Sequence, residues 1–335
     1  MTELSDLHVH LGGAVPAAVL WEILCNQGLQ TEYKGFQDFQ TALTAAAGQI
    51  KNLDEFLGKY FHVTEAIQSS PDAIATSAYQ AISKAFRRSQ IAYMEIRFNP
   101  AKRLRAGLHN MDAIVLATLQ GLERASLHYG VKTAAIFSLG RDCPQTTNAS
   151  ILEAAIRWKK PAMGTAAGIV GIDMAGPESL HREKDPEWVS QTADLFQKAK
   201  AAGLKTTYHI GETPDSGWRG LRTILNQIRP DRIGHGIELR NAPKQKKEEI
   251  LQTLAATRTC LEICPTVNAV TGYAQTEDLQ AFCTELASRA APFCICTDNP
   301  YLVHTNVQAE MDRVFPSNCH AKEWALENSK LHRFS

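Results

Sequence analysis

An alternation in the sequence restricts the fold of this chain more than any other feature. Eight short apolar runs, rich in β-branched residues, are separated by longer stretches whose apolar residues recur at helical spacing, as in βα units that build a parallel sheet. The runs lie near Leu4 to His10, Ile91 to Phe98, Val131 to Ser138, Gly168 to Asp173, Lys205 to His209, Arg232 to His235, Thr259 to Ile263 and Phe293 to Thr297. Eight such units predict an α/β fold of the (β/α)8 TIM-barrel type, in which functional side chains stand at the carboxyl ends of the strands. A chain of 335 residues suits a single barrel domain over 1–335, and 44% hydrophobic residues are enough for its core.

The regular spacing breaks once. Residues 14–90 are too many for one crossover helix, so a helical insertion is expected between strands 1 and 2. Leu53, Phe56, Leu57, Tyr60 and Phe61 recur at helical spacing, and Ser70-Pro71 reads as an N-cap followed by proline in the first turn. Two readings of the insertion stand: a lid or wall of a substrate pocket, or helices that only pack.

Charge and termini narrow the class of partner. Lys+Arg at 35 balance Asp+Glu at 35, so no basic field gathers nucleic acid. No apolar run approaches the ~20 residues of a membrane span. The first six residues lack the basic and apolar regions of a secretory signal, and the eight cysteines are scattered among apolar residues, so a cytoplasmic protein with reduced thiols is expected. Neither Cys260 with Cys264 nor Cys294 with Cys296 has a C-x-x-C partner to close a tetrahedral zinc site. The expected partner is a small molecule.

Four segments bring chemistry to predicted strand ends. His8 and His10 share a face of the first strand because side chains alternate, and two imidazoles on a strand covered on both sides are unfavourable without something to pair with them. His209 ends the fifth strand and Asp298 follows the eighth. Three histidine nitrogens and one carboxylate oxygen suit one zinc ion, with Fe2+ or Mn2+ as substitutes. Taken alone, Asp298 reads equally as a helix N-cap ahead of Pro300. A metal that lowers the pKa of water from about 15.7 to about 7 outweighs a general base, which by itself contributes roughly 10²- to 10⁴-fold. Glu212 follows His209 after Ile210-Gly211, where glycine permits a turn that returns the carboxylate over a substrate to protonate a ring nitrogen. Its other reading is a helix-start carboxylate. His235, between two glycines, either steadies the attacking oxygen or is structural. His62, His109, His128 and His320 fall in helical or loop patterns and are expected to be surface or packing residues.

In order along the chain, the segments His8-Val-His10-Leu-Gly-Gly-Ala, Ile172-Asp-Met-Ala-Gly176-Pro-Glu, His209-Ile-Gly-Glu212, Arg232-Ile-Gly-His235-Gly, Glu262-Ile-Cys-Pro-Thr-Val-Asn268 and Thr297-Asp298-Asn299-Pro300 together resemble the adenosine deaminase family of the amidohydrolase superfamily. The resemblance implies a (β/α)8 hydrolase with one zinc ion on His8, His10, His209 and Asp298, the aspartate also serving catalysis. It implies attack of hydroxide on the amino-bearing carbon of a purine, proton delivery by Glu212 to the adjacent ring nitrogen, a steadying role for His235 and release of ammonia. It also marks Asp173 and Gly176 as substrate-side positions.

Two positions depart from the family pattern. The aspartate that contacts the ribose 5′-hydroxyl is replaced by Gly12, and the second acid of an Asp-Asp pair, which faces the purine N7, is Asn299. An amide can still donate to a ring nitrogen. The expected substrate is therefore an adenine-like purine that is larger or differently substituted at its 5′ side than adenosine. Adenosine, adenine or a pterin are the alternatives, and a nucleoside-binding barrel without catalysis is the non-enzymatic one. Strand four ends Gly171-Ile-Asp173-Met with no bridging lysine, against a binuclear hydrolase. His181-Arg-Glu183 has no P-C-x-x-C partner, against the cytidine-deaminase type.

Overall fold

Each apolar run forms a strand. In the computed structural model, which describes residues 3–29, 31–104, 110–159, 168–317 and 319–334, the strands are β1 (Ser5–His10), β2 (Tyr93–Phe98), β3 (Lys132–Gly140), β4 (Ile169–Ala175), β5 (Lys205–Ile210), β6 (Arg232–His235), β7 (Cys260–Ile263) and β8 (Phe293–Ile295). All neighbours pair in parallel in the order β1 to β8. The ring closes where Val9 bridges Asp298: Asp298 N–H donates to His8 O and His10 N–H donates to Asp298 O, both at 2.8 Å. Closure removes the unpaired sheet edges. The bounds of β6 coincide with those expected, and the others differ by one or two residues in either direction, within the ordinary scatter of element ends. His109 lies outside the described residues.

The insertion after β1 is helical, as expected. It comprises α1 (Ala17–Asn26), α2 (Phe36–Ala42), α3 (Leu53–Phe56) and α4 (His62–Ile67), with a π-helical turn over Leu57–Phe61 between the last two. The crossover helix proper is α5 (Pro71–Ser89), started by Ser70, whose side chain accepts from Ala73 N–H at 3.3 Å, and by Pro71 in the first turn. Phe56 and Tyr60 are buried, while Leu57 and Phe61 face a large cavity at the carboxyl ends of the strands. The insertion is therefore a wall of that cavity.

The barrel interior departs from the usual filling of branched apolar side chains. Leu7, Tyr93, Ile136, Cys260, Cys294 and Phe334 form an apolar cluster inside it, and charged residues are buried with them. Arg97 pairs with Glu262 at 3.0 Å, and Arg232 pairs with Glu95 at 2.5 Å and with Glu262 at 2.6 Å, every one of these side chains fully buried. Charges survive in such a place only when paired. The carboxyl-terminal segment covers the network from below: the Phe334 ring centre lies 3.5 Å from the Arg232 guanidinium carbon, and Phe334 N–H donates to Glu95 at 2.7 Å. All eight cysteines are free thiols. Among the described residues no helix is long and apolar enough to cross a membrane.

Candidate active site

Alternation along β1 sends His8 and His10 inward, and β5 brings His209 against them. The His8 and His209 ring centres are 4.5 Å apart and those of His10 and His209 5.1 Å. Nε2 of His10 lies 3.1 Å from Nε2 of His209. Asp298 Oδ1 is 3.5 Å from His10 Nε2 and 3.7 Å from His8 Nε2. The backbone at Asp298 is left-handed, with φ 60, as it is at His235, with φ 62. Non-glycine residues adopt that region at a cost, and such strain concentrates at functional sites.

Two buried carboxylates decide which ring nitrogens are free. His8 Nδ1 donates to Glu262 Oε2 at 2.6 Å, and His209 Nδ1 donates to Asp173 Oδ1 at 2.9 Å. A carboxylate on Nδ1 holds the hydrogen there and leaves Nε2 with a lone pair. His8 Nε2 is buried and has no hydrogen-bond partner. Burial, reinforced by Arg97 and the neighbouring imidazoles, holds His8, His10 and His209 well below the usual histidine range, so all three rings are neutral. The same burial pushes the Asp298 carboxyl up to about 8, a preference that a nearby cation reverses. Converging lone pairs beside a carboxyl form a donor set suited to a divalent ion. His8, His10 and His209 lie close enough to share one ion, as do His8, His235, Cys264 and Asp298. Burial raises the Cys264 thiol well above its ordinary range, which favours the histidine set over the one containing the thiol.

Glu212 reaches the cavity through the turn expected at Gly211, where φ is 68. Gly211 N–H donates to Ser216 Oγ at 3.0 Å, and Glu238 N–H donates to Gly211 O at 2.8 Å. Glu178 fixes the rest of the loop, accepting from the N–H of Glu212 at 3.3 Å, the N–H and hydroxyl of Thr213 at 2.9 and 2.8 Å, and the hydroxyl of Ser216 at 2.7 Å. Burial, with Asp298 and Glu178 nearby, raises the Glu212 carboxyl well above the ordinary range, which favours its protonated form. His235 Nε2 stands 3.6 Å from Glu212 Oε2 and 3.8 Å from Asp298 Oδ2. Asn268 Nδ2 donates to His235 Nδ1 at 3.1 Å, so the ring hydrogen is on Nε2 and points at the two carboxyls.

Glu212, His235, His10, His209, Asp298 and Asn299 open into one cavity of about 1020 Å³, which Gly12 and Gly176 also line. Asn299 Nδ2 donates to Asp298 Oδ1 at 2.6 Å and keeps a second hydrogen free. Gly12 is closely covered by α4: a Cβ there would stand 2.7 Å from Thr64 Oγ1. Asp173, expected on the substrate side, is fully buried beneath His209 and contacts Arg97 at 3.5 Å instead. His62, expected only to pack or face solvent, lines the cavity. The orienting roles of Glu262 and Asn268 went unassigned although both lie in a quoted motif. Glu178 closes another of those motifs, and Arg97 lies in none. Arg97 did leave a signal, being a charge inside the apolar run Tyr93–Phe98.

The sequence model described as Adenosine deaminase matches residues 4–330. The chain belongs to that family. The adenosine deaminase of Enterococcus faecalis is 29% identical over 307 residues, covering 91% of this chain and 83% of that protein. Two solved structures share the fold. An amidohydrolase from Burkhoderia ambifaria, with bound Zn, superposes with a TM-score of 0.79 at 18% identity, over 99% of this chain and 86% of the other. Arabidopsis ADAL complexed with IMP gives 0.77 at 20% identity, over 100% and 92%. As a member of the adenosine deaminase family, the protein is a hydrolytic purine deaminase that acts on C–N bonds, and the family is metal-dependent.

Proposed function

We propose that this deaminase removes the exocyclic amino group of an adenine-type nucleoside altered at its 5′ side, with one zinc ion held by His8, His10, His209 and Asp298. The covered position at Gly12 carries the substrate reading. With Thr64 Oγ1 2.7 Å from where a Cβ would stand, an acidic side chain to grip an unmodified 5′-hydroxyl has no room. At about 1020 Å³ the cavity lies at the upper end of the roughly 300–1,000 Å³ usual for small-molecule sites. The zinc reading is supported by the neutral, pre-oriented Nε2 lone pairs and by the bound Zn of the structural relative.

When bound, the ion supplies positive charge that makes water a nucleophile near neutral pH. The chain does the rest. Protonated Glu212 gives its proton to the ring nitrogen beside the amino-bearing carbon as oxygen adds there. His235 Nε2–H, held by Asn268, donates to that oxygen. The free hydrogen of Asn299 Nδ2 meets a ring nitrogen on the imidazole side of the purine. The amino group takes the hydrogen of the added hydroxyl and departs as ammonia, leaving a carbonyl, and the other proton of the attacking water replaces the one Glu212 gave to the ring nitrogen.

Metal analysis of purified protein and ammonia release across adenine, adenosine and 5′-substituted adenosines test the proposal. The expected result is one zinc per chain, lost with any of the four ligands, and kcat/KM for a 5′-substituted compound at least about tenfold above that for adenosine. Adenosine as the best member of the panel, or a metal content of two, would overturn it.

A further inference from the structure

Among the described residues four arginines are wholly buried: Arg97, Arg103, Arg141 and Arg232. Three have at least two oxygen acceptors each, carboxylate or carbonyl. Arg97 and Arg232 pair with carboxylates, and Arg141 donates to the backbone carbonyls of Gly176, at 2.7 Å, and His209. Arg103 differs. It ends the short turn Ala101–Arg103 after β2 and lines the cavity wall. Its Nη1 donates to Gln68 Oε1 at 2.5 Å, its Nε has no partner, and among the described residues no carboxylate forms an ion pair with it. The Glu65 carboxylate acts on its charge from a distance, without a direct ion pair; a buried guanidinium with no anion in contact is costly, and its planar fork is shaped for a carboxylate or phosphate.

The surroundings say where such a group would come from. Gln68 also donates, through Nε2, to Leu11 O at 3.4 Å, so Arg103 is tied to the turn that holds Gly12. Lys102 lines the same cavity and pairs with Asp142 at 2.6 Å. Glu65 shares that wall; burial raises its carboxyl, while Arg103 and Lys102 pull it back down. Burial lowers Arg103 only to about 10, so it remains a cation at neutral pH.

We propose that Arg103 anchors an anionic group, a phosphate or a carboxylate, carried at the 5′ end of the substrate, with Lys102 beside it. This rests on the nucleoside reading above. The test compares adenosine 5′-monophosphate and adenosine-5′-carboxylate with neutral adenosine and 5′-methylthioadenosine, in zinc-loaded wild type and Arg103→Met, by ammonia release and by equilibrium binding. Wild type is expected to favour one or both anions by roughly 10- to 100-fold, the worth of a charge-assisted hydrogen bond, and the variant to lose that preference. Whichever anionic arm wins identifies the group. No preference in wild type, or an undiminished one in Arg103→Met, would overturn the proposal. If the variant does not fold, ionic strength decides in wild type: added salt must weaken the anions more than the neutral compounds, and equal weakening sinks the idea. Should no adenine compound lose ammonia, the deaminase reading falls, while the binding titrations still decide the anion site.

Discussion

Replacing Gly12 by alanine tests whether α4 is fixed over the turn that follows β1. The new Cβ would stand 2.7 Å from Thr64 Oγ1 and 3.7 Å from Phe61 Cδ1, where ordinary contact is 3.4–4 Å. Thr64 is fully buried, and its hydroxyl donates to Phe61 O at 3.2 Å. Its β-branched side chain has few rotamers to escape into. Either the hydroxyl turns away and loses its hydrogen bond, or α4 lifts by several tenths of an ångström. Overpacking of this kind costs about 1–3 kcal/mol. Thr64→Ala alone gives up one local hydrogen bond, about 1 kcal/mol, and in the double variant the added methyl fits the vacated space. The two changes should therefore couple favourably by about 1–2 kcal/mol, read from denaturant midpoints in a double-mutant cycle. Gly12→Asp needs still more room, so adenosine kcat/KM should fall or stay flat. Gly12→Ala as stable as wild type, or Gly12→Asp raising adenosine kcat/KM tenfold, would refute the steric argument.

Three further outcomes follow from the site and its surroundings. Glu212→Gln should cut kcat by roughly 10²- to 10⁴-fold while zinc content and unfolding midpoint hold, because a neutral amide replaces a carboxyl whose neutral form burial favours; near-normal turnover removes Glu212 from proton delivery. Asp173→Asn weakens the acceptor behind His209 and should lower zinc affinity roughly 10- to 100-fold by chelator competition; unchanged affinity means that Asp173 does not set the ligand. His332 is lowered from 6.5 to about 4 by burial, with Arg232 and Arg258 adding to it. Between those values the unfolded chain binds more protons than the folded one, so stability falls as pH drops through that window, and His332→Gln should flatten the decline; an identical acid profile would contradict the shift.

The barrel and the metal-ligand candidates were legible in the sequence for the same reason: strand periodicity fixes both where a run ends and which side chains share its inner face. His8, His10 and His209 could be placed by parity and Asp298 by its position after β8, and the structure gathers all four. What stayed hidden depends on contacts between distant strands. The resemblance marks Asp173 as a substrate-side position along with Gly176, yet strand pairing turns it under His209. Arg103 and His62 lie in a turn and a helix whose approach to the cavity no local pattern reports. The meaning of Gly12 also needed α4 in place, since a glycine beside another glycine in a sequence gives no sign of a threonine hydroxyl above it.

The chemical and recognition ends of the cavity are held in different ways. Glu262, from β7, contacts His8 Nδ1 at 2.6 Å, Arg97 at 3.0 Å, Arg232 at 2.6 Å and Thr207 Oγ1 at 3.2 Å. One carboxylate thus ties the orientation of His8, a ligand in the proposed metal site, to side chains from β2, β5 and β6. Moving it would leave buried cations unpaired, which typically costs 3–5 kcal/mol, so the reacting end is as rigid as the barrel core. The opposite wall comes from α4 and the turn after β2, elements outside the ladder that hold Gly12, Gln68 and Arg103 through a few side-chain contacts. Substitutions there can reshape what is bound at the 5′ side without disturbing the histidines. That separation lets a departure such as Gly12 alter the 5′ wall without touching the histidines, whereas the other departure, Asn299, sits at the reacting end, bonded to Asp298.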